Sequence, residues 1–337
     1  MRALVTGAAG FIGFHTARRL LEEGNDVIGV DGMTSYYDPE LKRRRQEILR
    51  SYDRYQAFEF MLEEGSRYAD LHSDLQPEIV VHLAAQAGVR YSLENPRAYV
   101  DANLIGTFNV LEACRKKPVR HLLLASTSSA YGGNTRVPFR ETDPAVLPLT
   151  LYAASKLATE HMAHSYSHLF GVPTTAFRFF TVYGPWGRPD MALFLFVWHI
   201  LRNEPIEVFN DGASQRDFTF IDDLVEAISR LIGCIPIRDP TSAENSVPGD
   251  TLSPVAPFRL VNIGGGHPVS LLEFIAEIER ATGRNAEKLF KPLPPGDIAR
   301  TEASADLLLA LTGYRPDTPI STGVPAFVSW YRQFYDC

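Results

Sequence analysis

Cysteine is scarce: the three in 337 residues, Cys114, Cys234 and Cys337, lie far apart, with neither metal-ligand spacing nor a disulfide framework. No metal site is expected from them, and a reducing, cytoplasmic setting fits. No run of eighteen apolar residues occurs, and Met1-Arg2 leads into a strand pattern rather than a charged-then-apolar leader. A soluble, unexported protein without a membrane partner is the expectation. Positive charge is not in excess either. Lysine and arginine number 33 against 40 acidic residues, a formal net charge of −7, which argues against nucleic acid as the main partner. An anionic small substrate would need its own local arginines. No internal repeat is evident, and 45% apolar content allows a large core in one α/β domain or two.

The first informative stretch is the N-terminal one. Ala3-Leu4-Val5-Thr6 is a short apolar run, followed by Gly7-Ala8-Ala9-Gly10-Phe11-Ile12-Gly13 and a helical pattern through Ala17, Leu20 and Leu21. Strand, glycine turn, helix is the context that gives such glycines meaning. They allow a tight turn and close approach of backbone to a pyrophosphate at the positive end of the helix. A second strand over 25–30 ends on Asp31, whose carboxylate suits the adenosine ribose and repels a 2′-phosphate, so NAD is preferred over NADP. The run Lys42-Arg43-Arg44-Arg45 reads as a solvated helix face. Phe58 to Leu62 reads as a third strand, with Asp70 and Leu71 placed for an adenine contact. Ile79 to Leu83 is a buried strand in which His82 is a core residue, and Ala84-Ala85 after it lets the backbone approach a cofactor.

The centre of the chain holds the chemistry. A helix over about 97–116 carries Asn103, a candidate organiser behind the catalytic residues, and the strand from His121 delivers Ala125-Ser126-Thr127-Ser128-Ser129. Tyr152 and Lys156 follow, four apart on a helix and so on nearly one face. A nearby cation favours phenolate and draws the Tyr152 pKa down from about 10, making it a general base, with the Thr127 hydroxyl directed to the same oxygen. His161, His164 and His168 further along read as a surface or interface face.

The alternation of strands and helices predicts an α/β fold: a parallel sheet covered on both faces, with catalytic residues at the strand carboxyl ends. Residues 1–178, with about 215–233, form the expected cofactor-binding domain. A Gly- and Pro-rich loop from Phe180 to Asp190 enters a smaller, discontinuous substrate lobe, 179–214 and about 234–337. Residues 235–257, rich in Pro, Ser, Thr and Asp, read as an exposed loop.

Together these motifs resemble the extended short-chain dehydrogenase/reductase family over essentially the whole chain, and within it the nucleotide-sugar epimerases. The runs Leu83-Ala84-Ala85-Gln86-Ala87-Gly88-Val89-Arg90-Tyr91-Ser92 and Gly184-Pro185-Trp186-Gly187-Arg188-Pro189-Asp190-Met191 are most similar to the UDP-glucuronic acid 4-epimerase group. The resemblance implies a Rossmann-type doubly wound sheet, a tightly held NAD on Gly7, Gly10, Phe11, Ile12, Gly13 and Asp31, and a UDP-sugar whose C4 is oxidised and reduced from the other face. Tyr152 would move the proton, Lys156 would hold the nicotinamide ribose, and Thr127 would bond the 4-oxygen. Arg216 is similar to the diphosphate ligand of that family and Asp297 to its uridine-ribose ligand. Arg188 belongs to the loop beside the nucleotide, Thr181 stands at a polar sugar or phosphate contact, and Arg90 is grouped with the substrate residues. For Arg178 and Arg300 a structural salt bridge is at least as good a reading. Where related dehydratases carry Asp-Glu and decarboxylases Ser-Glu after the Thr, this chain has Ser128-Ser129. Those neutral hydroxyls would hold a sugar carboxylate without assisting its loss. The same resemblance implies a homodimer built on the helices at about 97–116 and 151–170.

Overall fold

The computed structural model describes residues 1–237, 247, 249–294 and 296–337. Strands β1 (Arg2–Thr6), β2 (Asp26–Asp31), β3 (Tyr55–Glu59), β4 (Ile79–His82), β5 (His121–Thr127) and β6 (Thr174–Phe179) alternate with helices α1 (Phe11–Glu22), α2 (Pro39–Arg50), α3 (Gly65–Leu75), α4 (Tyr91–Glu94), α5 (Pro96–Tyr99), α6 (Gly106–Lys116) and α7 (Leu151–Phe170). There follow β7 (Thr181–Tyr183), α8 (Ala192–Leu201), β8 (Ile206–Phe209), β9 (Gln215–Phe220), α9 (Ile221–Ile232), β10 (Phe258–Ile263), β11 (Pro268–Ser270), α10 (Leu271–Thr282), β12 (Lys288–Lys291), α11 (Asp306–Thr312) and α12 (Ile320–Tyr335).

Seven strands form the main sheet in the order β10-β6-β5-β4-β1-β2-β3, every pair parallel. Every residue of β4, β5 and β6 is buried, as expected of strands with helices over both faces. This is the Rossmann-type doubly wound arrangement, and its strand order reverses between β1 and β4, where a crevice opens at the carboxyl ends. The third strand sits slightly earlier in the chain than the apolar run suggests, at Tyr55–Glu59.

The strand Phe258–Ile263, which the sequence reading places in the smaller lobe, instead pairs with β6 and closes the main sheet. Conversely β9, expected with the cofactor-binding domain, lies between β7 and β11 in a separate three-stranded sheet. A further pair, β8 with β12, completes the smaller lobe. One apolar core runs from Phe14 and Leu20 of α1 through Leu224 and Ile228 of α9 to Phe194 of α8 and Phe327 of α12, so the lobe is welded to the sheet rather than hung on a linker.

The segment read as an exposed loop falls partly outside the described residues, at 238–246 and 248. Its described end is anchored. Asp250 makes a buried two-pronged ion pair with Arg259 (2.8 and 3.0 Å), and Ala256 is fully buried. His164 and His168 pack on this stretch through Ser253 Oγ (2.9 Å) and the Val255 carbonyl (2.7 Å), which explains that part of the histidine face. No helix among the described residues is long and apolar enough to cross a membrane.

Candidate active site

A cavity of about 740 Å³ opens along the carboxyl ends of β1, β2, β4 and β5 and continues under β7 and the 296–301 segment. Gly7, Gly10, Phe11, Ile12, Gly13, Asp31, Leu83, Ala84, Ala85, Thr127, Ser128, Ser129, Tyr152, Lys156, Thr181, Arg188, Arg216 and Asp297 all line it. One elongated space thus gathers most of the residues singled out in the sequence.

The half over β1 and β2 fits a dinucleotide. Gly7 has φ +71° and its backbone lies so close to β4 that a Cβ would stand 2.9 Å from the Ala84 nitrogen. A Cβ on Gly13 would meet the Gly7 carbonyl oxygen at 2.0 Å, so helix and turn interlock only with glycine at both places. No side chain caps α1 and no acidic residue stands in its first turn, leaving a positive helix end free for a diphosphate. Asp31 ends β2 and accepts from Ala9 N (3.0 Å) and Met33 N (2.8 Å), which fixes a carboxylate at the ribose position. These features fit NAD.

His82 behaves as the core residue expected. The Leu83 and Ala84 N–H groups donate to the Thr6 hydroxyl at 3.1 Å, so that hydroxyl donates its proton to His82 Nδ1 (2.7 Å). His82 Nε2–H then donates to Thr107 Oγ1 (3.0 Å). Burial drives the ring pKa down to about 3, keeping it neutral. The relay shapes the backbone that meets Gly7.

The catalytic wall is built from β5 and α7. Thr127 closes β5, and its hydroxyl accepts from Ser129 N (3.2 Å), turning the chain into a short 3₁₀ segment that presents Ser128 and Ser129 to the cavity. Thr150 caps α7 by accepting from Ala153 N (3.2 Å), which sets Tyr152 in the first turn. Between Tyr152 and Lys156, Ser155 donates to the Tyr152 carbonyl (2.8 Å) and accepts from Asn103 Nδ2 (2.9 Å). Asn103 also holds both the N–H and the carbonyl of Gln86, at 2.8 and 3.1 Å. It reaches them from a π-helical turn, Val100–Ile105, where the predicted continuous helix over 97–116 is wider than α and turns Asn103 fully inward.

Electrostatics here depart from the simple Tyr/Lys picture. Burial raises the Tyr152 pKa, and the influences that offset it are the Thr127 hydroxyl and the positive charge of Arg188. Burial also lowers Lys156, to about 8, with Glu160 one turn on pulling it back up. Glu160 in turn accepts from Ser126 Oγ and from Arg178 Nε (3.0 Å) and Nη2 (2.8 Å) in a buried ion pair, the structural role allowed for Arg178. Arg300 pairs with Glu302 (2.7 Å) at the surface, where the arginine is exposed.

The opposite wall carries two arginines. Arg216 of β9 donates to Asp297 Oδ1 (2.9 Å), joining the two residues expected at the diphosphate and the uridine ribose. Arg188 sits in the 184–190 loop, which elements of the cofactor half grip: His15 Nε2 meets the Pro185 carbonyl (2.9 Å), and Arg45 Nη2 donates to the Trp186 carbonyl (2.6 Å). Arg45 is fully buried and also reaches the Ala9 carbonyl (2.9 Å), while Lys42 donates to Thr34 O (3.0 Å) and Oγ1 (2.8 Å). The basic run is therefore solvated only at Arg43 and Arg44.

Three predicted contacts fall elsewhere. Asp70 and Leu71 lie on α3, away from the cavity wall; Phe60, Met61, Leu62 and Glu63, directly after β3, line it instead. The reason is register: β3 ends at Glu59, so the cavity edge comes ten residues before the Asp-Leu pair. Arg90 is exposed and stacks over Phe209 (4.4 Å to the ring centre) rather than lining the cavity. The sequence reading missed Thr34, Tyr36, Lys42 and Thr301 as lining residues. Asp31, which ends β2 shortly before Thr34 and Tyr36, signals the place of those two; Lys42, on α2, and Thr301 carry no such local sign.

Comparison with known proteins agrees with this geometry. Residues 3–234 match the family described as the NAD dependent epimerase/dehydratase family. The probable UDP-glucuronate 4-epimerase of Rhizobium meliloti (strain 1021) is 55% identical over 335 residues, covering 99% of this chain and 98% of that protein. Among solved structures, the UDP-glucuronic acid 4-epimerase of Bacillus cereus with UDP-glucuronic acid and NAD is 32% identical, with a TM-score of 0.87 over 99% of this chain and 100% of the other. The UDP-glucose 4-epimerase of Thermotoga maritima with UDP-glucose is 28% identical, with a TM-score of 0.84 over 99% and 100%.

Proposed function

The chain belongs to the NAD dependent epimerase/dehydratase family, and from that membership we propose that it inverts C4 of UDP-glucuronate to give UDP-galacturonate through a 4-keto sugar. It is an isomerase. Bound NAD supplies a reversible hydride acceptor within each turnover. The rest falls to the chain's own groups.

Tyr152 takes the proton from the sugar 4-hydroxyl during oxidation and returns one to the 4-oxygen after the ketone has turned its other face. Thr127 hydrogen-bonds that oxygen, and the Lys156 ammonium holds the nicotinamide ribose. Charge on Lys156 is favoured by Glu160 against the burial that pushes it toward 8. Since reacting atoms must approach to roughly 3–3.5 Å in both half-reactions, the nucleotide has to stay fixed while the sugar turns. Arg216 and Asp297 at one end, with Arg188 beside the sugar, serve that purpose.

The observation that carries the substrate is the composition of the wall next to Tyr152. A 4-keto-uronate is a β-keto acid that loses carbon dioxide when its carboxylate is crowded by negative charge or left poorly held. Ser128, Ser129 and Thr181 line the cavity there with neutral hydroxyls. The lining carboxylates stand apart or are engaged: Asp31 and Glu63 at the adenosine end, Asp101 with Arg97 (2.8 Å), Asp297 with Arg216. The test is incubation with UDP-glucuronate and NAD, separating UDP-galacturonate from UDP-pentose. Mainly pentose would overturn the retention of the carboxylate, and no turnover of any UDP-sugar would overturn the enzyme reading.

A cytoplasmic homodimer belongs to the same proposal. Ile105, Phe108, Leu169 and Phe170 are exposed on the adjoining helices α6 and α7 and on the turn before α6, an apolar face suited to a second copy. Sedimentation at the mass of one chain would refute it.

A further inference from the structure

Arg188 does not stand alone on the cavity wall. Its Nε and Nη2 donate to the two carboxylate oxygens of Asp190, at 3.0 and 2.5 Å, and the Tyr36 hydroxyl donates to Asp190 Oδ2 at 2.9 Å. Tyr36 comes from the other side of the cleft, from the loop after β2 that also contributes Thr34 and Tyr37 to the cavity. The Arg188 guanidinium lies 6.0 Å from the Tyr36 ring centre, and the backbone at Gly88 closes on the pair, since a Cβ there would stand 2.6 Å from the Tyr36 hydroxyl and 3.7 Å from Arg188 Nη2. Tyr36 further rests on Tyr91, at 4.7 Å between ring centres. Burial beside Asp190 pushes the Tyr36 pKa up to about 12, so its proton is always present to donate. The remaining guanidinium nitrogen, Nη1, has no hydrogen-bond partner among the described residues.

We propose that Tyr36 and Asp190 are positioning residues: they hold the back edge of the Arg188 guanidinium so that Nη1 faces the cavity as the donor for an anionic oxygen of the nucleotide-sugar. The assignment rests on the UDP-glucuronate reading for the identity of the ligand, and on geometry alone for the clasp. A guanidinium is a flat fork on a flexible stem, and its directional value is lost when the fork swings. Fixing two of its three nitrogens with one carboxylate, itself fixed by a phenol, leaves the third aimed. The clasp also makes the cofactor-side loop part of the sugar site, since the phenol that steadies Asp190 lies beside the adenosine end of the cavity. Two anions of the ligand share the required chemistry, the sugar carboxylate and the diphosphate.

The experiment compares wild type, Tyr36→Phe, Asp190→Asn and Arg188→Met, each checked for bound NAD and thermal stability. Turnover is followed with UDP-glucuronate, and binding of UDP-glucuronate, UDP-glucose and UDP is measured separately. Tyr36→Phe is expected to raise KM for UDP-glucuronate about twofold to fivefold, with kcat within about twofold, the effect of one hydrogen bond acting through a charged neighbour. Asp190→Asn is expected to raise it about tenfold or more. In the Arg188→Met background, Tyr36→Phe should have no further effect, because its influence passes through the arginine. Weakening confined to UDP-glucuronate places Nη1 on the carboxylate; weakening of all three ligands places it on the diphosphate; both support the clasp. Undiminished affinity in both single variants, or a Tyr36→Phe effect that persists without Arg188, overturns it. If wild type instead turns over another UDP-sugar, the substrate reading fails and the same comparison is run with that sugar.

Discussion

The buried pair Glu160–Arg178 offers the sharpest test of the energetics under the catalytic helix. Both side chains are at most 7% exposed, and Arg178 Nη1 is already buried without a partner. Glu160→Gln keeps the shape and the link to Ser126 but removes the charge that compensates the guanidinium. Leaving one member of such a pair uncompensated costs about 3–5 kcal/mol. Unfolding entropy of about 2.1 cal/mol/K per residue over 337 residues gives roughly 0.7 kcal/mol/K, so the melting temperature should fall by about 4–7 °C. The double variant Glu160→Gln/Arg178→Met, which removes both charges, should melt higher than Glu160→Gln alone. A second readout is independent of stability. Glu160 is the group that raises Lys156 from the depressed position burial gives it, so its neutralisation lowers the Lys156 pKa further, and the alkaline limb of the pH–rate profile moves toward lower pH. Thermal melts and rate profiles on the same preparations decide the matter. A melting point within about 1 °C of wild type, or a double variant no better than the single, would refute the reasoning.

Other consequences are more direct. Tyr152→Phe should lower kcat by about 10²–10⁴-fold while UDP-glucuronate still binds in calorimetry, because only the proton carrier is removed; substantial residual turnover would remove Tyr152 from that role. Gly13→Val should yield protein purified without NAD, given a Cβ clash with the Gly7 carbonyl at 2.0 Å, and retention of cofactor would contradict the interlocked turn. Ser129→Glu should shift products from UDP-galacturonate toward UDP-pentose; an unchanged ratio and unchanged binding would show that the hydroxyl wall does not protect the carboxylate. His15 and His82 are pushed down to about 3 and His121 to about 4 by burial. The folded protein then binds fewer protons than the unfolded chain as pH falls through about 6.5, so stability falls as pH drops, with a slope for the three together that grows from about 2 kcal/mol per unit at pH 6.5 to roughly 4 near pH 5. Denaturant titrations between pH 7 and 5 measure that slope, and a flat profile would mean the rings are not held neutral.

What the sequence revealed follows from which forces are local. Glycines 7, 10 and 13, the acidic end of β2 and the Tyr152–Lys156 spacing are dictated by short-range geometry, and they stand in the structure where the pattern puts them. Long-range pairing is different. The apolar run Phe258–Ile263 is legible as a strand, but its partner, β6, is decided by which sheet edge is open. Three-residue strands such as β7 and β11 carry too few alternations to show a period. Arg45 and Lys42 looked solvated because charge usually is; both are buried because backbone carbonyls of the glycine turn and the 184–190 loop, and Thr34, surround them, and none of those distances is written in the local pattern. The adenosine edge was misplaced by ten residues for a similar reason: where a strand leaves the sheet depends on its neighbours, not on its own hydrophobicity.

The placement of β10 bears on how the chain is made. β6 ends at Phe179 and the strand that covers its free edge ends at Ile263, about 80 residues later. On a ribosome adding about 5–20 residues per second, the edge of a strand that is fully buried in the finished fold stays bare for some seconds while the intervening segment emerges. A nascent or truncated chain stopping short of residue 258 thus carries an open β edge, the kind of surface that pairs with another chain.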